Sequence, residues 1–82
     1  MTSVSEAEQL LRQGRIAEAE QAYARLLETS PDNLEALNAL ALADLRQGRP
    51  DAALQRLQHA EHLAPDHALT QHHLGLVQQA RG

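Results

Sequence analysis

The sequence predicts an all-α fold, with antiparallel helix-turn-helix units in tandem and five helices stacked as an α-solenoid. Three observations carry this reading. Leu11-Arg12-Gln13-Gly14-Arg15 returns unchanged as Leu45-Arg46-Gln47-Gly48-Arg49, a shift of 34 residues, and a fixed period of that size marks repeat architectures. The same shift pairs Ala19 with Ala53, Gln21 with Gln55, Pro31-Asp32 with Pro65-Asp66, Leu40 with Leu74, Leu42 with Leu76 and Gly48 with Gly82. Composition agrees: Ala, Leu, Gln, Glu and Arg dominate, all good helix formers, and Tyr23 stands alone among Phe, Trp and Tyr. Glycine and proline then recur where helices would stop and start.

The first helix is expected near residues 4–13, with Ser3 and Glu6 as a capping box and Gly14 free to take the left-handed conformation that closes a helix. The second runs near 17–29 and gives way to a turn at Pro31. The third, near 34–47, opens on Asp32 or Asn33, and Asp32 with Glu35 resembles a capping box; Gly48 closes it. The fourth, near 51–63, has Pro50 in its first turn, where the missing N–H does no harm, and ends before Pro65. The fifth, near 67–81, is expected to take its cap from Asp66. Connections of three or four residues make successive helices antiparallel. The chain then divides as one domain, 1–82, with one repeat at about 1–33, a second at about 34–67, and 68–82 as the first helix of a third repeat or a capping helix.

Small residues should mark where helices touch. Ala7, Ala41 and Gly75 recur at the 34-residue spacing, as do Ala19 and Ala53. Leu10, Tyr23, Leu26 and Leu27 would fill the first unit, and Leu37, Leu40, Leu54 and Leu57 the second. A single unit cannot bury its apolar face alone, so stacking makes the core continuous. An 82-residue chain buries only about 60–65% of its unfolded surface, so each such contact matters.

The period and its punctuation resemble the tetratricopeptide repeat. That family places Leu and a small residue on its first helix, then Ala, an aromatic and a closing Pro on its second. Leu37, Leu40, Ala41, Ala53, Leu57, Ala60 and Pro65 stand in those places in the middle repeat, and Ala7, Ala19, Tyr23 and Pro31 in the first. Asp44 and Gln78 replace an aromatic of the first helix, Leu57 replaces the second aromatic, and Glu6 stands where Leu is usual. The resemblance implies a protein–protein interaction module, with the first helix of each pair lining a concave groove that receives a peptide or helix. Carried over, the groove would show Glu8, Leu11 and Arg12, then Glu35, Asn38, Leu42, Leu45 and Arg46, then Leu69, His72, His73, Leu76 and Gln79. The partner-binding residues expected from it are Glu8, Arg12, Asn38, Leu42, Arg46, His72, His73, Leu76 and Gln79. An alternative implied by the family is an N-terminal accessory domain that positions substrate for a larger glycosyltransferase, sulfotransferase or hydroxylase.

Two specialisations of the family are not expected. Co-chaperones grip a C-terminal carboxylate with Lys, Asn and Arg, but Val4, Glu8, Ala39, Leu69 and His73 occupy those places here. The asparagine ladder of repeat-containing glycosyltransferases falls at Ala39 and His73.

Five histidines, His59, His62, His67, His72 and His73, crowd residues 59–73. One reading is a Zn²⁺ or Ni²⁺ site bridging the last two helices. Neither a Cys nor a well-placed carboxylate completes a tetrahedral set, so no metal and no other cofactor is expected. His72 and His73 could instead make the groove pH-sensitive, since imidazole titrates near neutrality.

The formal net charge of −4, from 11 acidic and 7 basic residues, argues against nucleic acid as a partner. No apolar stretch is long enough to span a bilayer, and the start, Met1 to Glu6, has neither the basic nor the apolar region of a signal peptide. A soluble, cytoplasmic chain is expected. No phosphate loop, nucleophile-base pair or cysteine supports catalysis. The fifth helix carries Leu69, Leu74, Leu76, Val77 and Ala80, more than one buried stripe needs, so a fragment of a longer protein or a weak homodimer through that helix is expected.

Overall fold

The computed structural model describes residues 3–82. In them the chain forms α1 (Val4–Arg12), α2 (Ile16–Thr29), α3 (Leu34–Arg46), α4 (Pro50–Leu63) and α5 (Ala68–Arg81), with no strand. Each end lies within one residue of the expectation from the sequence. The first two residues of the first expected repeat lie outside the described residues.

The punctuation acts as the residue types dictate. Gly14 and Gly48 take φ of 77° and 74°, a conformation that L side chains resist. The chain thereby folds back on itself. At the end of α1, the Arg15 N–H donates to Leu10 O at 2.9 Å and the Gly14 N–H to Leu11 O at 3.0 Å. At the end of α3, the Arg49 N–H donates to Asp44 O at 2.8 Å and the Gly48 N–H to Leu45 O at 3.1 Å. Carbonyls left over by the last helical turn are satisfied at both places. The other two connections are four-residue turns, closed by Asn33 N–H to Ser30 O at 3.0 Å and His67 N–H to Ala64 O at 3.1 Å. Pro31 and Pro65 sit second in these turns, where a fixed φ is an advantage.

Helix starts differ from expectation at two acids. Ser3 Oγ accepts the Glu6 N–H at 3.2 Å, as the sequence suggests. At α3 the cap is Asn33, whose Oδ1 accepts the Ala36 N–H at 2.9 Å. Asp32 is one residue too early and instead meets His59 Nε2 at 3.0 Å. At α5 the cap position falls to His67, not Asp66, and no side chain there accepts a backbone N–H. His67 Nδ1 pairs with the Thr70 hydroxyl at 2.9 Å instead.

Packing follows the alanines. Ala7, Ala19, Ala41 and Ala53 have no exposed surface, and α1 packs on α2, and α3 on α4. One apolar cluster gathers Ala7, Ala19, Ala22, Tyr23, Leu26, Ala36 and Leu40; a second gathers Ala41, Ala53, Leu57 and Val77. Leu37 is buried too, while Leu10, Leu27 and Leu54 are half-buried at the margins. α3 is the hub, packing against α2, α4 and α5. Where the family usually has an aromatic, the buried Asp44 carboxylate receives Arg56 Nε from α4 at 3.0 Å. That pairing is what makes the buried charge tolerable.

Gly75 departs from its series. Ala7 and Ala41 are buried, but Gly75 is exposed and a methyl added there would meet nothing within 4 Å. Its face of α5 has no described helix upon it, so it does not serve as a close-contact position.

The alanine contacts are directly testable. Ala41→Leu and Ala53→Leu should each overpack a closed interface, at a loss of about 1–3 kcal/mol. For a domain of this size that is a fall in Tm of about 4–8 °C per kcal/mol. Thermal unfolding followed by circular dichroism checks it; an unchanged Tm in both variants would show the alanines do not separate the helices.

Candidate functional site

Helical spacing assembles a groove from α1, α3 and α5. Residues three and four apart share a helix face, and Glu8 with Leu11, Glu35 with Ala39 and Leu42, and Leu69 with His73 all obey that spacing. These side chains, with Val4, wall a hollow of about 460 Å³ to which α2 contributes Tyr23. A smaller hollow of about 50 Å³ adjoins it, sharing Leu11, Tyr23, Ala39 and Leu42 and adding Ile16, Glu20, Ala43 and Arg46. With four lining residues in common, the two count together as one channel.

Of the residues expected to bind a partner, Glu8, Leu42 and His73 meet in the larger hollow and Arg46 lines the smaller one. Arg12, His72 and Gln79 are exposed and Leu76 is half-buried, and none of the four lines either hollow. Asn38 is a correction, since it has no exposed surface at all. It precedes the groove residue Ala39 by one position, a rotation of about 100°, which turns its amide into the contact between α3 and α5. By contrast, Val4, Glu8, Ala39, Leu69 and His73, the places of the co-chaperone clamp, all line the larger hollow.

The buried amide organises a polar chain. Asn38 Nδ2 donates to Leu34 O at 3.0 Å and to Thr70 Oγ1 at 2.9 Å. Both amide hydrogens are then used, and Asn38 Oδ1 lies 3.0 Å from His73 Nδ1. In that orientation His73 must carry its proton on Nδ1 and donate it. The Thr70 hydroxyl, accepting from Asn38, also pairs with His67 Nδ1 at 2.9 Å. Thr70 is also fully buried, and sequence reasoning missed it. Its signal was a hydroxyl at the position where the 34-residue shift places Ala36.

Burial, the neighbouring His72 and then His67 hold the His73 imidazole below its ordinary 6.5. Tyr23 moves the other way, its phenol raised by burial, then by Glu8 and Glu35. The histidines do not converge on a metal. His59 turns to Asp32 and His73 to Asn38, and among the described residues no group of three or more His, Cys, Asp or Glu could hold an ion.

The lowered His73 value has a definite sign. The unfolded chain binds this proton more readily, so folding stability is fully present above about pH 6.5 and falls as pH drops through the folded value. Denaturant unfolding at pH 7.5 and 5.5 should show the loss, and His73→Leu should reduce its size. Asn38→Ala, which strands the buried Thr70 and His73 groups, should cost about 1–3 kcal/mol at neutral pH. Equal stability of this variant and the native chain would mean the polar chain contributes nothing.

A family model described as tetratricopeptide repeat matches residues 6–79. No curated protein and no solved structure matches the chain.

Proposed function

Because the chain belongs to the tetratricopeptide repeat family, whose repeats generally mediate protein–protein interaction, we propose that the channel between α1, α3 and α5 is where it holds a partner polypeptide. Repeats of this kind are typically non-catalytic, and the work done is binding. The first repeat comprises α1 and α2, the second α3 and α4, and α5 opens a third.

One observation carries the reading. Among the described residues, Leu11, Ile16, Leu63 and Leu69 are the large hydrophobic residues that remain exposed, and three of these four line the channel. Exposed apolar surface gathered in one concavity and rimmed by Glu8, Glu35 and Arg46 is the character of an interaction site. Leu42 lies at its centre, shared by both hollows. Among the described residues no helix is long and apolar enough to cross a membrane, and the net charge of −4 disfavours nucleic acid.

Leu42 is half-buried, which makes it a usable probe. Leu42→Asp should abolish capture of partners from a lysate while helicity by circular dichroism stays native, whereas Arg12→Ala should capture normally. Unfolding of Leu42→Asp would mark the residue as core, and undiminished capture would place the partner elsewhere.

A weaker second reading is self-association through α5. It is favoured by a hollow of about 440 Å³ beside Gly75, with Leu54, Leu74 and Val77 in its wall. Sedimentation over a range of concentrations should then show a monomer–dimer equilibrium that Gly75→Arg shifts to monomer; a strict monomer throughout removes it.

A further inference from the structure

The larger hollow presents acceptors and no cation. Glu8 of α1 and Glu35 of α3 stand in its walls, and among the described residues neither carboxylate is paired. Three of the other acids find arginines: Arg15 takes Glu18, Arg56 takes Asp44, and Arg81 takes Asp51. Glu35 lies in the first turn of α3, where the helix dipole alone accounts for an acid. Glu8 has no such account. It sits mid-helix, and Arg12 one turn away does not pair with it.

His73 supplies an independent pointer. The residue is only 5% exposed, and its Nδ1 is committed to Asn38. Among the described residues no buried side-chain nitrogen or oxygen lacks a partner. The partnerless Nε2 is therefore in contact with solvent, and His73 is a lining residue of the hollow. With the proton on Nδ1, this nitrogen is an acceptor. Tyr23 registers the same field, since Glu8 and Glu35 both favour its neutral phenol.

We propose that the occupant of this groove is a peptide bearing an arginine or lysine between aliphatic residues, its cation held by Glu8 and Glu35 with His73 Nε2 as a further acceptor. The proposal rests on the groove being the partner site. Leu11, Leu42 and Leu69 receive the flanking aliphatic groups. Charge-assisted hydrogen bonds made against such walls are stronger than those in open water. An acidic or phosphorylated segment in the larger hollow would meet two like charges and no cation, since Arg46 lines only the smaller one. The overall charge of −4 also favours encounter with a basic segment.

The test is a selection of random displayed peptides on the immobilised full chain, followed by calorimetry of an enriched peptide. Glu8→Gln/Glu35→Gln and Leu42→Asp serve as the variants, with circular dichroism confirming their folds. Enriched peptides should carry arginine or lysine beside aliphatic residues, and the double glutamine variant should bind them at least about tenfold more weakly. Added salt should weaken the native complex and leave the variant little changed. Enrichment of acidic or uncharged peptides, or an affinity indifferent to the glutamines, overturns the partner class; loss of binding in Leu42→Asp would still uphold the groove. Binding indifferent to Leu42→Asp as well overturns the groove reading and this proposal together.

Discussion

Close approach of helix backbones at four methyl groups is the constraint from which the architecture follows. Ala7 and Ala19 in the first pair, and Ala41 and Ala53 in the second, leave no exposed surface. Packed helices ordinarily sit about 8–10 Å apart, according to the side chains between them, and methyl groups favour the near end of that range. At such spacing leucines of modest size close the remaining gaps, and one tyrosine is aromatic enough for the whole core.

The outer wall of the channel has a different origin. α5 is aligned on α3 by Asn38, Thr70 and His73, all buried, and not by leucines alone. Apolar surfaces tolerate sliding, because one methyl contact resembles the next. A buried amide does not, since a displaced register would leave donors and acceptors unmatched at a cost of about 1–3 kcal/mol each. The polar chain thus gives α5 a single seating, and with it the placement of Leu69 and the free nitrogen of His73.

The helices were legible because their signals are local. A glycine that must take positive φ and a proline that must open a turn act through their own backbone, and the period doubled each signal. The buried alanines followed from the period alone. What failed were features that need the third dimension. Asn38 and Ala39 are adjacent in sequence, yet a rotation of about 100° separates the interior from the groove, and the period repeats either register equally well. Asp66 promised a cap on residue type, but the helix began one residue later and left the position to His67. Gly75 matched its series and still faces open space, because a small residue signals contact only when something lies against it. The places of the clamp, set aside in the sequence because no cation or amide occupies them, line one hollow together. They belong to one spatial set, whereas the other candidates were extended along single helices.

Tyr23 has an optical consequence. It is the single tyrosine of a chain with no tryptophan and no phenylalanine, and its ring lies where both hollows meet. Ultraviolet emission from this molecule therefore originates at one point, in the wall of the channel that Glu8 and Glu35 also line. Lifetime, polarisation and accessibility to a dissolved quencher all report on the occupancy of that point without a dye or an engineered fluorophore.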